Sequence, residues 1–202
     1  MDFTYSNILA VFFRANAVEL NEGLCWYEQA ASIARRLGNQ YLNGDTYLAA
    51  AVIAALSPNN RWSRNVADAE ALIKVFAAGG SCDAVKVSTF GKNKGKAIAI
   101  LKGALPLDVL GGLKVRAFYQ CILGHKNEAV CVDGHAYSIW LGHRVATSAT
   151  PKISEKLYKK ISEDYRVAAQ QINLITGENY SPAQVQAVTW VVWRNLFSRG
   201  AK

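Results

Sequence analysis

Across residues 22–197 the apolar side chains recur at three- and four-residue intervals, and β-branched runs bounded by turns are nearly absent. That period gathers apolar side chains on one face of a helix, whereas a half-buried strand alternates its faces residue by residue, so the chain reads as all-α. One segment constrains the packing most. Tyr47 to Leu56 is apolar with almost no break, opened by Asp45 or Thr46 as a cap, and a helix that is apolar all round has to be central. Ser57-Pro58-Asn59-Asn60 stops it, because the residue before a proline avoids helical torsions.

The same periodicity predicts helices over 22–37, from Ser63 or Asn65 to the Gly79-Gly80 pair, and over 93–102, 105–110 and 115–123. A loop over 124–132 leads to a helix beginning at Asp133. A linker over 148–152 precedes a long amphipathic helix from Ile153 to about Thr176, and a last helix covers 182–197. Ser181 followed by Pro182 is a capping side chain with proline at the first helical position, which fixes that start. About nine helices result, with no internal repeat.

With 51% apolar and 19% charged residues in 202, the composition is that of a compact globular chain and excludes disorder and collagen-like structure. The apolar run over 47–56 is about half of what a bilayer span needs, and the opening Met-Asp-Phe-Thr lacks the basic and apolar regions of a secretory leader. The expectation is a soluble, cytoplasmic protein with no membrane partner. Cys25, Cys82, Cys121 and Cys131 are scattered without a Cys-x-x-Cys pair, which argues for reduced thiols and against structural zinc, an iron–sulfur loop or a disulfide framework. Cys131, Asp133 and His135 alternate as ligands do, but no second pair completes a site. No metal and no cofactor are expected.

The charge is unevenly placed. Between Ala84 and Lys126 there are eight cations and one acid, Asp108, which leaves seven of the chain's net +8 in one fifth of its length. A confined basic field suits a polyanion, because cations that replace condensed counterions on a phosphate backbone gain free energy from their release.

Within that basic segment, Leu110-Gly111-Gly112-Leu113-Lys114-Val115-Arg116 reads as helix, two-glycine turn, helix. Such a turn permits positive φ and leaves amides uncovered at a helix start, where one phosphate can be held without reading base sequence. About one helix and one loop later comes Val130-Cys131-Val132-Asp133-Gly134-His135, in which a carboxylate caps a new helix after an apolar triplet.

At these residues the chain resembles the helix-hairpin-helix, or endonuclease III, superfamily of DNA glycosylases. There a Leu-Pro-Gly-Val-Gly hairpin precedes, at similar spacing, a Val-Asp-Thr-His segment whose aspartate is catalytic. Ala51-Val52-Ile53-Ala54-Ala55-Leu56-Ser57-Pro58-Asn59-Asn60 is similar to the family segment that ends in a wedge entering the duplex, matched here by Asn59. Gly91-Lys92-Asn93-Lys94-Gly95-Lys96-Ala97 resembles its Gly-x-x-x-x-Lys-Ala turn. The resemblance covers about residues 45–145. It implies a two-lobed helical fold with a central cleft, one lobe over 45–132 and the other from 1–44 plus 133–202. The implied protein is a monomer acting on double-stranded DNA that carries a damaged or modified base.

The departures bear on mechanism. Lys114 stands at the hairpin's second glycine, and Arg116 stands where bifunctional members carry a Schiff-base lysine. An arginine keeps its proton and cannot attack a sugar carbon, so the expectation is a monofunctional enzyme unless Lys114 takes that role. Asp133 is then the catalytic residue. It would stabilise positive charge on the deoxyribose and orient a water after the nucleotide leaves the stack; the plain alternative is a helix cap. The resemblance implies DNA contacts from Asn59, Asn60, Arg61, Lys92, Lys94, Lys96, Gly111, Gly112, Lys114, Arg116 and His135, and a base pocket from Trp62, Tyr137 and Trp26. Trp190 and Trp193, three apart on the last helix, read as a buried stripe. Two other functions fit the residues. One is a transferase that adds an amino acid or polyamine to a hydroxymethylpyrimidine in DNA, and the other is a DNA-binding module without chemistry.

Overall fold

The computed structural model describes residues 5–146 and 149–198, the side chain of Ser198 excepted. The opening four residues and Ser148, on which two of the readings above fell, lie outside the described residues. Ten α-helices and one 3₁₀ turn, Cys82–Ala84, make up the regular structure among the described residues, with no strand. The helices are α1 Tyr5–Phe12, α2 Ala17–Tyr41, α3 Thr46–Leu56, α4 Trp62–Ala77, α5 Gly91–Leu101, α6 Pro106–Val109, α7 Leu113–Ile122, α8 Gly134–Leu141, α9 Glu155–Thr176 and α10 Pro182–Ser198. The chain is all-α, as its periodicity requires. It divides into two units, Glu28–Gly124 and the described residues of Met1–Tyr27 with His125–Lys202.

In the unit Glu28–Gly124, α3 packs against α4, α5 and α7. Every residue from Ala49 to Leu56 is buried, which is how an all-apolar helix avoids an exposed greasy face. Around it lie Ala30, Ala34 and Leu37 of α2 with Leu72, Ile73, Ile100, Leu110 and Ile122. Each leucine or isoleucine so enclosed contributes about 1.5–3 kcal/mol by leaving water. The start of α3 is fixed twice. Asp45 Oδ1 accepts from Leu48 N at 2.8 Å, and Gly38 lies so close that a Cβ there would come within 2.8 Å of the Asp45 carbonyl.

In the other unit, α10 packs against α1, α8 and α9, and α1 also meets α8 and α9. Tyr165, Ile8, Ile139 and Ile161 are fully buried there. A Cβ on Gly23 would overlap the Val188 backbone, so the close approach of α2 to α10 requires glycine at that position.

Several helix limits differ from the periodicity. The helix predicted over 22–37 starts at Ala17, because Asn16 and Glu19 form a reciprocal cap: Val18 N and Glu19 N donate to Asn16 Oδ1, and Asn16 N donates to Glu19 Oε2. That box precedes the first clear apolar repeat and carries the helix five residues back. Helix α1 was not legible at all; eight residues offer barely two turns of pattern. Helix α4 begins at Trp62, ahead of the expected Ser63 or Asn65, with Arg61 as a cap that makes no side-chain bond. Helix α5 opens two residues before the expected Asn93 and α7 two before the expected Val115. Asp133 caps α8 from outside the helix, and Ser154 does the same for α9. The start of α10 is as predicted: Gln184 N donates to Ser181 Oγ at 3.3 Å, and Ser181 N donates to Gln184 Oε1 at 3.0 Å.

Candidate functional site

The position of Asp133 is built by the loop before it. Val130, Cys131 and Val132 are buried. The Tyr158 hydroxyl clamps their backbone, donating to the Val130 carbonyl at 2.7 Å and accepting from Val132 N at 3.1 Å. Upstream, Ala183 N donates to the Lys126 carbonyl and Arg166 Nη2 donates to that of Glu128 at 2.7 Å. The chain therefore enters α8 along one fixed path, and Asp133, extended and half-buried, stands at its head.

Both oxygens of Asp133 are engaged. Oδ1 accepts from Ala136 N at 2.8 Å, and Oδ2 accepts from Trp190 Nε1 at 3.2 Å. Two N–H donors thus fix the carboxylate at the head of α8. The Trp190 ring lies 4.9 Å from that of Trp26, meets His135 edge-on at 6.3 Å, and carries the Arg194 guanidinium 4.4 Å from its centroid. Beneath, Tyr165 is fully buried. Burial pushes its phenol well above the ordinary range, the hydrogen bond with Thr189 pulls the other way, and the negative charge of Asp133 adds to the rise.

Of the predicted residues in this unit, Trp26 and His135 join Asp133 in one cluster. Tyr137 stacks instead on Trp140, at 6.2 Å and 30°, and Trp140 Nε1 donates to Asp164. Sequence reasoning missed Trp190. The three-residue spacing to Trp193 made both look like core, yet only Trp193 is buried; Trp190 is half-exposed. Arg194 was missed too, because a lone cation near the end of a helix carries no signal of its own.

The unit Glu28–Gly124 holds the basic residues. At Gly112 φ is +78°, and α7 starts there with no side-chain cap, a helix start of the kind at which anions bind. Lys96 reaches this turn: its Nζ would lie 2.5 Å from a Cβ built on Gly111. Arg116 also holds the turn, its Nε donating to the Leu110 carbonyl at 2.9 Å. Lys114 is exposed on the first turn of α7. The lysines of α5 separate. Lys96 joins the turn, Lys94 donates to the Asp83 carbonyl at 2.7 Å, and Lys92 lies 5.9 Å from the centre of the Phe90 ring.

Asn59 occupies the tip of the turn after α3, exposed and left-handed with φ +55°, a conformation asparagine tolerates better than most residues. Its neighbours are pinned. Asn60 Nδ2 donates to Asp68 Oδ2 at 3.0 Å, Ser88 N donates to the same oxygen at 2.7 Å, and Thr89 Oγ1 donates to the Pro58 carbonyl at 2.7 Å. Asp68, Ser88 and Thr89 were invisible as site residues, because their partners are distant in the chain. Arg61 is exposed beside this turn, and Trp62 meets Phe118 edge-on at 6.2 Å against the unit's core.

Among the described residues no three His, Cys, Asp or Glu side chains group as a metal site, and no helix is long and apolar enough to cross a membrane. No curated protein and no solved structure matches the chain. One family model does, over residues 2–197, and by it the chain belongs to DUF7178, a family of unknown function.

Proposed function

We propose that the protein is a DNA glycosylase that hydrolyses the N-glycosidic bond of a damaged or modified nucleotide. The observation that carries this reading is the Asp133 carboxylate, held at a helix start by Ala136 N and Trp190 Nε1 beside Trp26, His135 and Arg194. A carboxylate fixed in place is what an oxocarbenium-like sugar needs as its bond to the base stretches. Water then adds to C1′, its proton leaves, and the departing base takes up a proton. The resemblance of 110–118 and 130–135 to the glycosylase motifs points to the same chemistry. In this reading Lys96, Lys114, Arg116 and the amides at Gly112 hold backbone phosphates, and Asn59 fills the vacated stack.

The absence of a lysine at position 116 supports base release without strand scission. Arg116 has a structural bond to Leu110 and does not give up its proton. The test is mass spectrometry of oligonucleotides carrying uracil, oxidised, alkylated or hypermodified bases after incubation with the protein. Release of free base that disappears in Asp133→Asn, with DNA affinity retained, is the expected result. An enlarged base in place of a free one assigns the scaffold to a transferase, and no change in any oligonucleotide leaves a DNA-binding module.

A further inference from the structure

Phe90 has no part in the reading above, yet it lies on one of the better-tied segments outside the helices of its unit. Phe90 is 57% exposed, while the residues on both sides of it are tied down. Ser88 N donates to the buried Asp68, Thr89 Oγ1 donates to the Pro58 carbonyl, and Asn93 Nδ2 donates to Thr89 Oγ1 at 2.8 Å. A large apolar ring is thus displayed at a fixed place beside the Asn59 turn. A solitary exposed phenylalanine needs no explanation on a loose loop; one whose neighbours Ser88, Thr89 and Asn93 are held by three side-chain hydrogen bonds is carried on an ordered segment.

The surroundings select the partner. Lys92 lies near the ring, and Arg61, Arg64 and Lys86 are exposed on the adjoining segments. The acids nearby are Asp68, buried and already bonded twice, and Asp83, exposed, whose carbonyl holds Lys94. An exposed ring with cations about it matches a nucleic-acid strand whose bases are unstacked: every base has a face to lay on the ring, and the flanking phosphates meet the cations. A paired duplex offers no such face, and an apolar peptide would leave the cations without partners.

We infer that Phe90 is a stacking platform for an unpaired base, with Lys92 and Arg61 holding the phosphates on either side. This rests on the reading that the chain binds nucleic acid, and it does not depend on chemistry at Asp133. The test is equilibrium binding of the full chain to an unmodified fluorescein-labelled single strand and to the same sequence as a paired duplex. Phe90→Ala is expected to weaken single-strand binding at least about fivefold and duplex binding less than about twofold. Phe90→Trp, which keeps an aromatic face, is expected to bind the single strand at least as well as wild type. Phe90→Ala binding the single strand like wild type, or losing both ligands equally, overturns the platform alone. Binding of neither ligand by wild type overturns the platform together with the DNA reading.

Discussion

Trp190 donates its indole N–H to Oδ2 of Asp133 across 57 residues of chain, at 3.2 Å. The bond ties the head of α8 to the middle of α10 and fixes the second oxygen of a carboxylate whose first oxygen already caps a helix. A plain cap needs only one of these bonds, so the indole is the feature that sets Asp133 apart from Asp45 and Ser154. Replacing Trp190 by Phe keeps the ring between Trp26 and Arg194 and removes the donor. The expected outcome is a loss of about 1 kcal/mol of stability, read from denaturant unfolding, with base release slowed at least about tenfold.

Asp133 itself separates structure from chemistry. Asn caps helices about as well as Asp, so Asp133→Asn should unfold close to wild type and release no base. Asp133→Ala loses the cap as well and should cost about 1 kcal/mol or more. Comparing the two melting curves with the two rates checks this, and base release retained in either variant removes Asp133 from the proposed mechanism.

Asp68 is the hidden support of the Asn59 turn. Truncation to Ala takes the acceptor from Ser88 N and leaves Asn60 Nδ2 only its 3.4 Å contact with the Leu56 carbonyl, which should cost about 1 kcal/mol at this part-buried place. Faster proteolytic cleavage within 57–61 and 86–90 than elsewhere in the chain would locate the loosening; uniform cleavage would contradict it.

At the glycine turn, Gly111→Ala puts a methyl group where Lys96 Nζ now rests. The lysine's flexible end can move aside, so little stability should be lost. DNA affinity should fall, and the slope of log affinity against log salt should shrink by about one as a phosphate contact is lost. Gly112→Ala should instead cost about 1 kcal/mol of stability, because φ there is +78°.

Glu70 and Arg36 form a two-pronged ion pair, both contacts at 2.8 Å. The hydrogen bonds from Arg36 hold the Glu70 carboxyl below its ordinary range, with burial opposing them and the arginine's charge adding to them. A carboxyl lowered on folding stabilises the protein above its unfolded-state range and loses that contribution as pH falls through the lowered folded-state range. Glu70→Gln should therefore cost at most about 1 kcal/mol near neutrality, since both groups are partly exposed and screened. The gap to wild type should close as the pH is taken below the usual carboxylate range. Denaturant melts of the two proteins across that pH span provide the check.

The sequence by itself determined the helical class, the interior place of α3, the two-glycine turn and the caps at Asp45, Asp133 and Ser181. Each follows from interactions within a few residues: apolar period, torsional limits at proline and glycine, and a side chain reaching an amide two or three positions on. Only the tertiary structure decided which residues share a site. It joined Trp26, Trp190, Arg194 and His135 around Asp133, took Tyr137 to Trp140, tied Lys94 to Asp83, and brought Asp68 and Thr89 to the Asn59 turn. These pairings depend on rotation about helix axes and on side-chain hydrogen bonds between distant segments. A three- or four-residue period leaves both undetermined, because it states which face of a helix is apolar and not what that face, or its edges, will meet.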